Sequence, residues 1–172
     1  GNKKIIDHLK DVFPEAEVLI GFESNSRRET LERISEWEDV LIVDCDIIIN
    51  GKIPELTKDT VYCFKSDKDK YSSVDIDHRG YIMQASENKR ISDIKCAGVY
   101  YVQSVATLLK NMTDDNSIVS GMLGAKAILG SAIIPVGDPS DYYEALGIKP
   151  GSFTGNRIEM NKNTVIKYCN TG

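Results

Sequence analysis

The chain has little of what several common chemistries need. It contains two histidines, His8 between Asp7 and Leu9 and His78 in the turn-like DHRG, and neither is set beside a serine or cysteine as the base of a nucleophile pair. Triad-type hydrolysis is therefore disfavoured. Basic residues are the minority, 21 Lys and Arg against 26 Asp and Glu, for a formal net charge of -5. General nucleic-acid binding relies on many phosphate-facing cations, so no nucleic-acid partner is expected. No apolar run reaches the roughly 18 to 20 residues that cross a bilayer. The opening GNKKIIDHLKDVF alternates charged and apolar residues where a signal peptide would carry an apolar core. A cytoplasmic protein without membrane partners is the expectation. The four cysteines, Cys45, Cys63, Cys96 and Cys169, form no C-x-x-C pair. The first three lie in or beside strand-like segments, which favours buried free thiols over disulfides or zinc.

What is present reads as one ordinary α/β domain. The 172 residues, 41% hydrophobic and 27% charged, suffice for a single core. Residues 2–13 carry Ile5, Ile6, Leu9, Val12 and Phe13 at helical spacing, with Pro14 as the stop. EVLIGFE, 17–23, reads as a buried strand, and SRRE at 26–29 is a capping box opening a helix over 26–37. The run 39–49, VLIVDCDIII within it, is the next strand. Helix, strand, helix, strand implies parallel strands joined by crossovers. From residue 60 onward TVYCFKS, YSSVDID, GYIMQAS and CAGVYYVQ read as strands of a more mixed sheet. Ser104 and Asn116 are set to start two further helices, SAIIPVG is a last core strand, and DPSD at 138–141 starts a helix with Asp138 as its N-cap. The Gly- and Asn-rich residues 151–172 form a tail or the start of a further segment, leaving 1–150 as the domain.

The chemistry concentrates on two carboxylates. Asp44 and Asp46 stand two apart at the end of a branched apolar run. On an extended chain i and i+2 share a face, so both can reach one Mg²⁺, a hard ion held by one or two carboxylates plus substrate phosphates. In an open α/β sheet the carboxyl ends of strands are where ligands gather. The bland alternative is one aspartate capping a turn and the other in solvent. An unpaired carboxylate among branched apolar residues is costly, which weighs toward coordination.

The segments in order, LIVDCDIII, SSVDIDHRGYIMQASENKRISDIKCAGVYYVQS and IIPVGDPSDYYEALG, resemble the sugar-nucleotidyltransferase family over roughly 15–147. That resemblance implies a Rossmann-like, GT-A-like three-layer α/β sandwich with a mixed, mainly parallel sheet. It matches Asp46 to the aspartate that binds the catalytic Mg²⁺. Asp44 has no fixed role there and stands either as a metal ligand or as a residue behind one. The turn DIDHRGYI, starting at Asp75, resembles the hairpin that leads to a glutamate-lysine pair on the sugar or alcohol phosphate, here split as Glu87 and Lys89. Gly98 matches the glycine that lets substrate approach the backbone. PVGDPSDY shares Gly137, Pro139, Asp141 and Tyr142 with the family's last motif.

Two departures accompany the matches. Nothing in residues 1–30 resembles the family's Gly-rich loop with its Arg and Pro-Lys, and Pro135 stands where a second metal-binding aspartate is expected. The resemblance thus implies a domain that is N-terminally incomplete or has lost catalysis. Its implied reaction is transfer of a nucleoside monophosphate from a nucleoside triphosphate to a sugar-phosphate or alcohol-phosphate, in the synthesis of polysaccharide precursors. Two other readings stand: a GT-A glycosyltransferase using both aspartates, and a non-catalytic nucleotide- or sugar-binding module.

Overall fold

The computed structural model describes residues 24–44, 46–49, 56–130, 133–137 and 139–145. The helix expected over 2–13, the strand over 17–23, Cys45, Asp138, the tail 151–172 and Cys169 lie outside the described residues.

Helix α1, Arg27–Glu32, is capped by Ser26, whose Oγ accepts the Glu29 N–H at 3.1 Å. Glu29 in turn accepts the Asn25 N–H at 2.7 Å, so the box closes one residue early. The helix stops well before 37, and turns over 33–36 carry Ile34 onto the core. Two consecutive arginines in a first turn oppose the helix dipole, so something else must hold them. Arg28 donates to the carbonyls of Leu109 and Met112 at 3.0 and 2.9 Å and pairs with Asp115. These partners lie at the carboxyl end of helix α2, Val105–Asn111, which starts at its Ser104 cap as expected.

The expected strand 39–49 breaks into two. Strand β1, Glu38–Val43, belongs to the main sheet, while β2, Ile47–Ile49, leaves it and pairs antiparallel with β8, Ile133–Pro135. Asp44 and Asp46 therefore flank a change of sheet. The rule that places i and i+2 on one face applies to continuous strand and does not relate them here.

The rest of the main sheet is β3 (Thr60–Lys65), β4 (Ser73–Ile76), β5 (Ile82–Ser86), β6 (Ile94–Ser104) and β7 (Lys126–Leu129), in the order β5-β4-β6-β3-β7. The central β6 runs antiparallel to its neighbours. β3 lies along one edge of it, and the other edge is shared by β4, at Lys95, and β1, from Val99 to Ser104. By these pairings β1, β3, β4 and β7 all point the same way, with β3 and β7 adjacent and parallel. The sheet is mixed, and the architecture is the α/β sandwich expected.

Period-two alternation sorts β3 and β6 onto two cores. Val61, Cys63, Cys96, Tyr100 and Val102 face α1, α2 and the 3₁₀ turn Ile118–Gly121, with Leu31, Val105, Leu108, Met112 and Val119. Tyr62, Ala97 and Val99 face the β2–β8 ribbon through Ile47 and Ile133. SAIIPVG thus covers the sheet instead of joining it, and the added strand is β7, in a segment that had no expected element. Cys63 and Cys96 are directly opposite each other, buried and free, as expected for structural thiols. Lys95 is wholly buried, and among the described residues its Nζ has no hydrogen-bond partner, a cost the surrounding packing must offset. Among the described residues no helix is long and apolar enough to cross a membrane.

Candidate functional site

The two strands sharing one edge of β6 part between Lys95 and Val99, and a recess of about 180 Å³ lies there. Its lining includes Arg27, Asp44, Asp46, Lys70, Glu87 and Gly98, with Tyr71, Ser72, Tyr100 and Pro135. Four of the five residues singled out from sequence meet at this point. Lys89, the fifth, is not in the lining. Its side chain is exposed, and its backbone holds the 86–91 turn through Ser86 Oγ, at 3.0 Å, and Ser73 Oγ, at 2.8 Å.

Each carboxylate is seated differently. The Asp44 N–H donates to the Gly98 carbonyl at 2.7 Å, and a Cβ on Gly98 would come within 2.9 Å of the Asp44 side chain. Gly98 has φ +76°, where a glycine avoids strain. Close approach to this glycine was expected of a substrate, and Asp44 makes it instead. Asp46 follows the kink and anchors the ribbon, its carbonyl accepting the Val136 N–H at 2.7 Å. Its carboxylate is exposed and makes no hydrogen bond or ion pair among the described residues. Glu87 follows β5 and accepts the Ser72 hydroxyl at Oε2, while its Oε1 is buried with no hydrogen-bond partner among the described residues.

The electrostatics follow from this crowding. Burial raises the Asp44 carboxyl above its ordinary value; Arg27 opposes the rise at 3.4 Å, while Asp46 and Glu87 add to it. The Arg27 guanidinium is raised on balance, because Asp44, Tyr100 and Glu87 outweigh its own burial. Burial foremost pushes the Tyr100 phenol well up. The recess is richer in carboxylates than in cations.

Sequence reasoning missed Arg27 and Lys70. The arginine pair at a helix start was the usable signal for Arg27, since a cation there needs a partner elsewhere. Lys70 lies in the mixed-charge stretch KSDKDKY, 65–71, where no local pattern marks one lysine from another. Of the PVGDPSDY segment, Pro135 lines the recess, standing opposite Ile47 in the ribbon beside Asp46, and it contributes no side-chain ligand.

Among the described residues no three His, Cys, Asp or Glu side chains are grouped to hold a metal by themselves. The donor set therefore does not form a cage. It fits a Mg²⁺ that keeps waters and arrives with phosphate oxygens, which asks one or two carboxylates of the protein. Asp46 is the residue free to supply one.

A larger cavity of about 720 Å³ adjoins the recess through Tyr71 and Pro135, which line both. Its walls include Phe64, Leu129, Ile133 and Asp141.

No protein-family model and no curated protein sequence matches the chain. Solved structures do. The nucleoside-diphosphate-sugar pyrophosphorylase from Vibrio cholerae RC9 is similar at TM-score 0.60 and 14% identity, covering 85% of this chain and 76% of its own. HddC from Yersinia pseudotuberculosis gives 0.55 and 20%, covering 84% and 72%, and has also been solved complexed with GMP-PN. CTP:phosphocholine cytidylyltransferase from Streptococcus pneumoniae gives 0.62 and 14%, covering 83% and 72%. At these identities the likeness establishes a shared fold, the one expected from the sequence.

Proposed function

We propose that this chain is a nucleotidyltransferase-like domain that binds a Mg²⁺-nucleoside triphosphate and a phosphorylated sugar or alcohol. The observation that carries the reading is the meeting of Asp44, Asp46, Glu87 and Gly98 in one recess of a fold shared with nucleotidyltransferases. In the reaction, a phosphate oxygen of the acceptor attacks the α-phosphorus of the triphosphate. A new P–O bond forms, the α–β bridge breaks and pyrophosphate leaves. Mg²⁺ held through Asp46 would neutralise phosphate charge as it shifts toward the leaving group.

The chain's own residues supply orientation. Arg27 offers a guanidinium to the phosphates while tying Asp44 in place. Glu87, oriented by Ser72, adds a carboxylate to the acceptor side of the recess. Gly98 makes room for Asp44, which stands behind Asp46. This division of the aspartates weighs against a GT-A glycosyltransferase that uses both on one metal. The product in this reading is a precursor for cell-surface polysaccharide, made in the cytoplasm.

A second reading, a nucleotide- or sugar-binding module without turnover, is favoured by Pro135, which offers no side-chain ligand where the resemblance expects an aspartate. Pyrophosphate release separates the two. The binding shared by both is tested by a thermal-shift panel of nucleoside triphosphates with and without Mg²⁺. A Mg²⁺-dependent shift lost in Asp46→Asn is expected. No shift with any nucleotide, or an unchanged shift in the variant, overturns the site.

A further inference from the structure

The β4–β5 hairpin has a charged group at each end. Ser72 and Glu87, just outside its open end, line the recess. Its closed end is the turn Asp77–Gly80, followed by Tyr81, and strands of this length set the two ends roughly 15 Å apart. Around the Tyr81 ring stand three cations from three separate segments. Lys58 Nζ, the Arg79 guanidinium and Lys126 Nζ lie 5.4, 5.6 and 5.0 Å from the ring centroid. In a chain with more acids than bases this gathering is local, not a general property of the surface.

The backbone fixes where the three segments meet. Tyr81 and Lys126 form an antiparallel bridge, the Ala127 N–H donates to the Gly80 carbonyl at 2.9 Å, and the Lys126 N–H donates to the Asp59 carbonyl at 2.9 Å. Side chains add to this frame. Lys126 Nζ donates to the Arg79 carbonyl and lies so close to Gly80 that a Cβ there would come within 3.1 Å of it, while Lys58 Nζ donates to the Tyr81 hydroxyl at 3.3 Å. The cations are therefore largely placed before any ligand arrives.

An aromatic ring attracts cations through its quadrupole and leaves their charge uncancelled. Carboxylates do not make up the difference. Asp77 pairs with Arg79 at 3.3 Å, but its other oxygen is committed to the turn, accepting the Arg79 and Tyr81 N–H groups at 2.8 and 2.9 Å. The Asp59 carboxylate accepts the Gln103 N–H at 2.8 Å, and among the described residues neither Lys58 nor Lys126 makes an ion pair. Because the three cations converge on one ring, they suit a single compact, multiply charged group better than an extended backbone. A phosphate monoester gathers its charge and three acceptor oxygens on one centre, which matches guanidinium and ammonium donors, whereas a dicarboxylate divides its charge between two.

We propose that Lys58, Arg79 and Lys126 form a second anion site, at the hairpin tip, for a phosphate-bearing small molecule, and that Tyr81 is their positioning residue. The inference stands apart from the recess and does not rest on its reading.

Calorimetric titration of the full chain with inorganic phosphate, at low ionic strength and without Mg²⁺, tests it. Lys126→Ala removes the half-buried cation and is expected to weaken binding about tenfold, the scale of one charge-assisted hydrogen bond. Lys58→Ala and Arg79→Ala remove exposed cations and should each cost about threefold. Tyr81→Leu loses affinity, whereas Tyr81→Phe, which keeps the ring, stays within about twofold. Lys110→Ala is the control, since it removes one exposed positive charge from the last turn of α2, and binding stays within about twofold. The proposal is overturned if wild type does not bind phosphate, if Lys126→Ala binds it unchanged, or if Lys110→Ala loses as much as Lys126→Ala. Succinate bound as tightly as phosphate overturns the assignment to phosphate, and Tyr81→Phe losing as much as Tyr81→Leu overturns the role of the ring. The comparison of the two lysine variants decides even if Tyr81→Leu fails to fold.

Discussion

Asp44 and Asp141 are aspartates in adjoining clusters, each beside a cation, and the protein shifts them in opposite directions. At Asp141 burial alone would raise the carboxyl, but hydrogen bonds from Lys68, Lys70 and Tyr71 outweigh it and hold the group below its ordinary value. The same contact, with burial first, pushes Tyr71 up to about 12. At Asp44 burial and two neighbouring carboxylates outweigh a single arginine 3.4 Å away. In one cluster the carboxylate is held charged by three donors. The other holds more negative charge than it neutralises, as expected where an incoming ligand completes the balance.

The sharpest way to break this contrast is to remove the seat of Asp44. Gly98→Ala places a methyl 2.9 Å from that side chain at φ +76°. Left-handed strain and overlap together should cost about 2 to 3 kcal/mol, read as a lower denaturation midpoint. A loss much smaller than this would mean that Asp44 yields easily and that the recess is not built around it.

The Asp141 cluster should lose less. Asp141→Asn is expected to cost about 1 to 2 kcal/mol at pH 7, limited because its two lysines are 43% and 36% exposed. The folded carboxyl lies below the unfolded value, so its stabilisation is present above the unfolded pKa of about 3.9 and lost as pH falls through the folded one. Wild type and variant should therefore converge in acid, and melting curves taken from pH 7 downward would reveal a gap that stays constant instead.

The smallest effect has the opposite sign. Asp44→Asn should raise stability at pH 7 by less than about 1 kcal/mol, since it relieves a buried charge but strands Arg27, which is 43% exposed. Here the folded value is raised, so stability declines as pH rises from the unfolded value of about 3.9 through the folded one. The variant's advantage should appear above that range and vanish below it. A variant less stable than wild type at pH 7 would show that the pair with Arg27 outweighs burial.

The elements legible in the sequence were those whose signals are local. Ser26 and Ser104 cap the helices they were expected to start. In the DHRG turn Asp77 accepts the Arg79 and Tyr81 N–H groups while Gly80 takes φ +78°. β3, β4, β5 and β6 each fall within a segment read as strand or extend it by a few residues. The errors came where the partner decides. KAIL at 126–129 is too short for its alternation to register, and it becomes a strand by pairing with β3. SAIIPVG is apolar enough for either sheet, and only pairing with β2 sends it to the ribbon.

By itself, then, the sequence determined the α/β class, the caps, the turns and the carboxylates worth watching, because each depends on residue chemistry within a few positions. Tertiary structure decided which of them meet. It divided Asp44 from Asp46 by a change of sheet, excluded the Lys89 side chain from the recess, and brought in Arg27 and Lys70 from distant segments. Those outcomes depend on strand pairing and on charges brought together across 71 residues in the case of Lys70 and Asp141, distances over which local pattern carries no information.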